Sequence, residues 1–422
     1  MPNDISKSLF DYRKSDFLFI KLSILGNAYG LEEGSVLSVK RWVVFTMLVV
    51  FLAQATVTAQ PDFKINARAA VLMDPISGRV LFGQDEHKRL PPASVTKIMT
   101  MLLILEAVHT GRVKWDEPIT TSPFAAYMGG SQVYLKEGEV FPLREMFKAI
   151  AVVSANDASA AVAEHLYGSV QDFVDQMNRE AKRLNLKDTH FANETGLPDP
   201  EHYSSAYDLA VISRELLTKY PEVLDYTSIW MDKFRNGEFI LKNTNDLLKS
   251  YRGADGLKTG HTDEAKFCLS GTAKRGDFRL ISVILGVETN PKRVAETQRL
   301  LDYGYRNYQL KVIKDSKQTA GQVYIREAQK REVPVQVKQA WGVVVERGQD
   351  QLVRTEVVPD TQFKFPIEVG RKVGIIKATL AGKEIARAPV FAMEKVNRAN
   401  VFTRGWRWFV DFIGSLFRKK VK

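Results

Sequence analysis

"PPASVTKIMTMLLILEA", residues 91–107, runs from two prolines and a short polar stretch into a long apolar helical pattern. A serine after prolines marks a helix start, and a helix apolar on nearly every side belongs in a core. Ser94 and Lys97 stand at that junction, one turn apart. Two purely structural roles are open to them. Ser94 can cap the helix by accepting a first-turn N–H. Lys97 can lay its stem on the core and lift its ammonium into water. An S-x-x-K quartet also arises by chance about once or twice in a chain this long. The rest of the sequence has to decide.

Upstream, "ARAAVLMDPISGRVLFGQDEHKR" (67–89) alternates around a turn at Gly78, as a β-hairpin does. Downstream, helical patterns dominate to about residue 220, among them "LREMFKAIAVVSANDASAAVAEHLYG" (143–168) and "VQDFVDQMNREAKRLNL" (170–186). Strand signals return in "FCLSGTAKRGDFRLISVILGV" (267–287), folded back at Arg275, Gly276 and Asp277. A last helix follows in "NPKRVAETQRLLDYGYRNY" (290–308). Strands at both ends of a helical middle predict an α+β domain over residues 60–308, with an antiparallel sheet flanked by helices. From 309 to 396 short strands alternate with turns ("GQVYIREA", "REVPVQV", "WGVVVERG", "GRKVGIIKATLAGKEIARAPV"), which predicts a small all-β domain.

Composition agrees with this division. The chain has 422 residues, 45% hydrophobic and 26% charged, which excludes a disordered or fibrous protein. Its net charge of +11 is spread along the sequence without a nucleic-acid motif, so an anionic surface is the expected partner and nucleic acid is not. Cys268 is the one cysteine, so there is no disulfide framework. The histidines at 87, 109, 165, 190, 202 and 261 never fall in H-x-H or H-x₃-H spacing. No metal and no cofactor is expected.

Both ends carry further signals. Lys40 and Arg41 precede the apolar run "WVVFTMLVVFLA", and Val57 and Ala59 occupy the −3 and −1 positions of a cut after Ala59. The run is too short for a membrane span, which needs about 20 residues. Residues 37–59 therefore read as a cleaved signal peptide. Residues 1–36 read as a leader wrongly included in the reading frame. The Glu-Glu-Gly of "LEEG" (31–34) fits a purine-rich ribosome-binding site, and Val36, Leu37 or Val39 could be the start. At the other end, residues 397–422 place Phe402, Trp406, Phe409, Val410, Ile413 and Phe417 on one helical face, with seven basic residues and one acidic. That is the pattern of an amphipathic helix lying in a membrane interface. The competing reading packs it against its own β domain.

Two further motifs settle the role of Ser94 and Lys97. Ser154-Ala155-Asn156 follows in "VVSANDAS", and Lys258-Thr259-Gly260 in "GADGLKTGHTD". A serine hydroxyl needs a base within hydrogen-bond reach. Lys97, on the same helical face, becomes one if it is neutral, and burial, the helix N-terminus and a second cation such as Lys258 would all drive its proton off. Ser154 and Asn156 are placed to pass that proton to a leaving amine and to hold a substrate amide. Lys258 and Thr259 offer charge and a hydroxyl to a substrate carboxylate, and Gly260 lets the backbone come close. The backbone N–H groups of Ser94 and His261 complete an oxyanion hole.

The S-x-x-K, S-x-N, K-T-G set in this order resembles that of the penicillin-binding proteins and class A β-lactamases. From 62 to 308 the sequence is similar to the D-alanyl-D-alanine carboxypeptidases, through "PASVTKIMT", "GGSQVYLKEGE", "FANETGLPD", "YSSAYDLA", "DGLKTGHT" and "FRLISVILGV". The resemblance implies the DD-peptidase/β-lactamase-like fold and removal of the terminal D-alanine from peptidoglycan stem peptides through an acyl-enzyme on Ser94. It also implies covalent inhibition by β-lactams, a place on the outer face of the cytoplasmic membrane, and an arginine near the substrate terminus, taken as Arg279. A class A β-lactamase adds a Glu in E-x-x-x-N. No Glu between Asn156 and Lys258 has Asn four residues on. A murein DD-endopeptidase would use the same residues, and a non-catalytic murein-binding protein would not need all three motifs intact.

Overall fold

A computed structural model describes residues 63–315, 319–403 and 406. Residues Ile65–Lys422 form one compact unit; of the other, Met1–Lys64, only Phe63 and Lys64 are described. The leader (1–36) and signal peptide (37–59), and most of the terminal helix, lie outside the described residues.

The first sheet begins with the expected hairpin, β1 (Ala69–Met73) and β2 (Val80–Gln84). Two small two-stranded antiparallel sheets follow in the chain, β3 (Pro118–Thr120) with β4 (Val140–Pro142) and β5 (Met231–Phe234) with β6 (Phe239–Lys242). The sheet is completed by β7 (Ala254–Thr262), β8 (Lys266–Arg275) and β9 (Phe278–Val287). Its order is β2-β1-β9-β8-β7, antiparallel throughout. Strand β9 is apolar at most positions and buried from Leu280 through Val287, as a strand covered on both faces requires.

The longer helices among the described residues are α1 (Lys97–His109), α2 (Leu143–Val153), α3 (Asn156–Tyr167), α4 (Val170–Arg183), α5 (Ala206–Lys219) and α6 (Asn290–Asn307); α2, α3 and α4 pack with one another and with α1 to one side of the sheet. Helix α5 covers one face, where Ser213 and Ser270 share a hydrogen bond at 2.7 Å. Helix α6 covers the other, where Thr297 approaches Gly271 and Gly304 admits Leu72 and Leu280. Helix α1 is buried from Lys97 through Leu105, the all-round burial its sequence predicts. This arrangement sets the start of α1 against β7, the edge strand.

After α6, β10 (Tyr308–Lys314) pairs with β13 (Trp341–Glu346). A second antiparallel sheet joins β11 (Thr319–Tyr324), β12 (Glu332–Gln336), β14 (Val353–Pro359), β15 (Lys372–Leu380) and β16 (Lys383–Ala392) in the order β11-β12-β16-β15-β14. These strands enclose their own core, centred on Val333, Val335, Val343, Val373, Ile376 and Val390. The small all-β domain is thus observed.

Candidate active site

A 3₁₀ turn, Ala93–Thr96, carries Ser94 and feeds directly into α1, whose first residue is Lys97. No side chain caps either segment, so Ser94 is not a helix cap. Lys97 does not snorkel either; it is 0% exposed. Side chains three apart eclipse on a 3₁₀ turn, and here that brings Lys97 Nζ to 3.2 Å from Ser94 Oγ.

Nζ has two other partners, Asn156 Oδ1 at 2.6 Å and the Thr195 carbonyl at 2.8 Å. The Asn156 orientation is fixed because its Nδ2 donates to the Gly129 carbonyl at 2.7 Å. Both partners of the amine can only accept. A neutral Lys97 therefore directs its two N–H bonds at them and leaves its lone pair for the Ser94 hydroxyl. Burial brings the Lys97 pKa down to about 7, against the opposing pull of the Glu194 and Asp157 carboxylates. Desolvation leads this shift.

Ser154 ends α2 in the left-handed region at φ 67°, a conformation that costs a non-glycine residue about 1–3 kcal/mol. Its hydroxyl is buried and has no hydrogen-bond partner among the described residues. Asn156 opens α3, its N–H donating to the Ser131 carbonyl at 2.7 Å. The next residue, Asp157, accepts the N–H groups of Val133 and Leu135 and so holds residues 129–135 beside the site.

Strand β7 brings Lys258, Thr259, Gly260 and His261 to the same place. A Cβ on Gly260 would lie 2.7 Å from the Pro92 carbonyl and 3.0 Å from the Val95 N–H, so only glycine lets β7 meet the turn that holds Ser94. Ser94 and His261 each adjoin that contact. The His261 ring is exposed and rests on Phe267 at 4.1 Å. Lys258 is buried and donates to the Thr259 carbonyl at 3.0 Å. Burial, then Lys97, then Arg293 hold its pKa well below the usual lysine value.

The arginine at this end is Arg293, which the sequence reading missed. It lies on α6, 4% exposed, and donates to the carbonyls of Thr244 at 3.1 Å and Cys268 at 3.4 Å. Thr244 in turn shares a 2.5 Å hydrogen bond with Thr259, and Cys268 pairs with Gly260 across the sheet. Burial lowers its pKa to about 10, so it keeps its charge at neutral pH. Cys268 itself is a buried thiol, pushed up to about 11 by burial.

Arg279 has to be withdrawn from the site. It pairs with Lys274 at the far end of β8, four register positions from the partner of Lys258. Its guanidinium grips both oxygens of Asp255 at 2.7 Å and Thr272 Oγ1 at 2.9 Å. Those contacts leave it a structural strap at the sheet end.

Residues 54–289 match the D-alanyl-D-alanine carboxypeptidase family, and residues 308–398 match the C-terminal domain of penicillin-binding protein 5. The D-alanyl-D-alanine carboxypeptidase DacF of Bacillus subtilis is 40% identical over 342 residues, 80% of this chain and 88% of that protein. DacC of Escherichia coli, a D-alanyl-D-alanine carboxypeptidase, is 33% identical over 381 residues, 87% of this chain and 94% of its own. Among solved structures, penicillin-binding protein 5 of Haemophilus influenzae superposes with a TM-score of 0.69 at 30% identity, covering 80% of this chain and 100% of that one.

Proposed function

Since this chain belongs to the D-alanyl-D-alanine carboxypeptidase family and is a penicillin-binding serine peptidase of that activity, we propose that Ser94 is its nucleophile and Lys97 the base. The Ser94 proton passes to the Lys97 lone pair as Oγ bonds to the carbonyl carbon of the penultimate D-alanine. The oxyanion lies between the N–H groups of Ser94 and His261. The carbon–nitrogen bond then breaks, and the leaving D-alanine takes up the proton by way of the unpartnered Ser154 hydroxyl. Asn156 holds both the amine and the substrate amide. Water hydrolyses the ester that remains. The substrate carboxylate is received by Thr259, Lys258 and the permanent charge of Arg293.

The observation that carries this reading is the Lys97 amine, sealed from water, with two acceptors for its protons and Ser94 Oγ 3.2 Å from its free position. Digesting defined muropeptides and weighing the products tests it. A pentapeptide stem should lose one D-alanine with wild-type protein and none with Ser94→Ala. Cleavage of cross-linked dimers in place of that loss would make the protein an endopeptidase, and fast repeated hydrolysis of penicillin would make it a β-lactamase.

The protein acts, in this proposal, after export through the segment at 37–59, on the outer face of the cytoplasmic membrane, held to anionic lipid by residues 397–422. Support comes from the described start of that terminal segment: Val401, Phe402 and Trp406 are 78%, 91% and 69% exposed. Large apolar side chains left outside a folded domain mark a surface that binds something apolar.

A further inference from the structure

His202 is 4% exposed, and the proposed reaction makes no use of it. Its Nδ1 accepts the N–H groups of Ala192 at 3.1 Å and Asn193 at 3.4 Å. An imidazole nitrogen that accepts carries no proton, so the ring proton sits on Nε2. Nε2 lies 2.7 Å from Thr96 Oγ1, and that oxygen lies 2.7 Å from the Ala93 carbonyl. A carbonyl only accepts. The Thr96 hydroxyl therefore donates to Ala93 and must accept from His202. Every donor in the chain points the same way, from the loop at 192–193 toward the residue before Ser94.

That residue needs holding. Ala93 is in the left-handed region at φ 48°. It is also pressed by Gly196, where any Cβ would come within 1.9 Å of the Ala93 carbonyl oxygen. Gly196 follows Thr195, whose carbonyl accepts from Lys97. One network thus joins the turn that carries the nucleophile to the loop that orients its base.

We propose that His202 is a positioning residue: through Thr96 it fixes the Ala93 carbonyl and so keeps Ser94 Oγ within reach of Lys97. This rests on the reading of Ser94 as nucleophile. Protonating Nδ1 would set a third N–H against two others. Burial holds the ring neutral, with its pKa down to about 4; Asp199 pulls it up, while His190 and Lys97 push it further down. The ring stays neutral wherever Lys97 can act as a base, so it works by geometry and not by charge.

The test is the rate of penicillin acylation by the full chain as a function of pH. His202→Leu and Thr96→Val should each slow acylation about 10- to 100-fold, the cost of a misplaced reacting group. The acid limb of the profile, which belongs to Lys97, should not move. His202→Gln, whose amide supplies one acceptor and one donor, should recover most of the rate. The Leu/Val double variant should be no slower than either single one. Thr96→Val removes only a hydroxyl and carries the test if His202→Leu fails to fold. The proposal is overturned if folded single variants acylate at the wild-type rate, if Gln is as slow as Leu, or if the two losses multiply. Labelling of Ser94→Ala would instead overturn the nucleophile assignment, so the two failures are distinct.

Discussion

Lys97 is half protonated near neutral pH, because burial has brought its pKa to about 7. Only the free amine accepts the Ser94 proton, so acylation should rise tenfold per pH unit up to about 7 and level off above it. Glu194 raises the Lys97 pKa, so Glu194→Gln should move this limb toward lower pH; a shift toward higher pH would contradict the electrostatic account. Lys97→Arg keeps its proton at any working pH and should lose about 10²–10⁴ in acylation rate. At this scale the motif spacings singled out Ser94, Lys97, Ser154, Asn156 and Lys258 as candidates for the proposed site. The arginine was not. Arg279 stands in a strand that resembles the family, but its partner Asp255 lies 24 residues away in sequence and only the folded sheet joins them. The available signal for the proposed arginine is a charged residue on the buried face of α6, where Arg293 precedes Thr297, Leu300 and Leu301.

At the scale of elements, the proposed catalysis depends on β7 lying flush with the Ala93–Thr96 turn. Gly260→Ala puts a methyl against backbone atoms that cannot swing away. Acylation should fall about 10- to 100-fold while the fold persists; an unchanged rate would mean that the contact does not position Ser94. Arg279→Ala gives the opposite pattern. It leaves Asp255 without its ion pair at the sheet end, at a cost of about 1–3 kcal/mol in unfolding free energy, and should leave kcat/KM unchanged. A large drop in kcat/KM would return Arg279 to the site. Periodicity revealed the β1–β2 hairpin, the buried α1 and the β8–β9 pair, because each is long and strongly patterned. It missed the three-residue strands β3 and β4, and β14, whose "VRTEVVP" is exposed for most of its length. The 3₁₀ turn before α1 was equally hidden, since Ser94 fits a helix cap by residue type and is excluded only by the observed backbone.

Across the whole molecule, the β domain is tied to the catalytic sheet at the β1–β2 hairpin. Arg79 donates to the Val344 carbonyl at 2.9 Å and Tyr308 to the Leu81 carbonyl at 3.1 Å. The small all-β domain was legible because the spacing of strands changes after α6. The proposed terminal anchor is supported by sequence pattern and by the exposure of Val401, Phe402 and Trp406. Deleting residues 400–422 should abolish sedimentation with anionic vesicles, since each basic residue near such a surface contributes about 1 kcal/mol. Hydrolysis of soluble peptides should be unaffected, and binding by the full chain should weaken in high salt. A truncated protein that still sediments, or that unfolds, would refute the anchor.

In the proposed mechanism the amine of Lys97 makes Ser94 the nucleophile. Brief exposure to penicillin, tryptic digestion and mass spectrometry test it at the bond itself. One penicilloyl adduct should appear on the peptide 90–97, at Ser94, and Ser94→Ala should carry none; an adduct at another residue, or an intact adduct on the Ala variant, would contradict it.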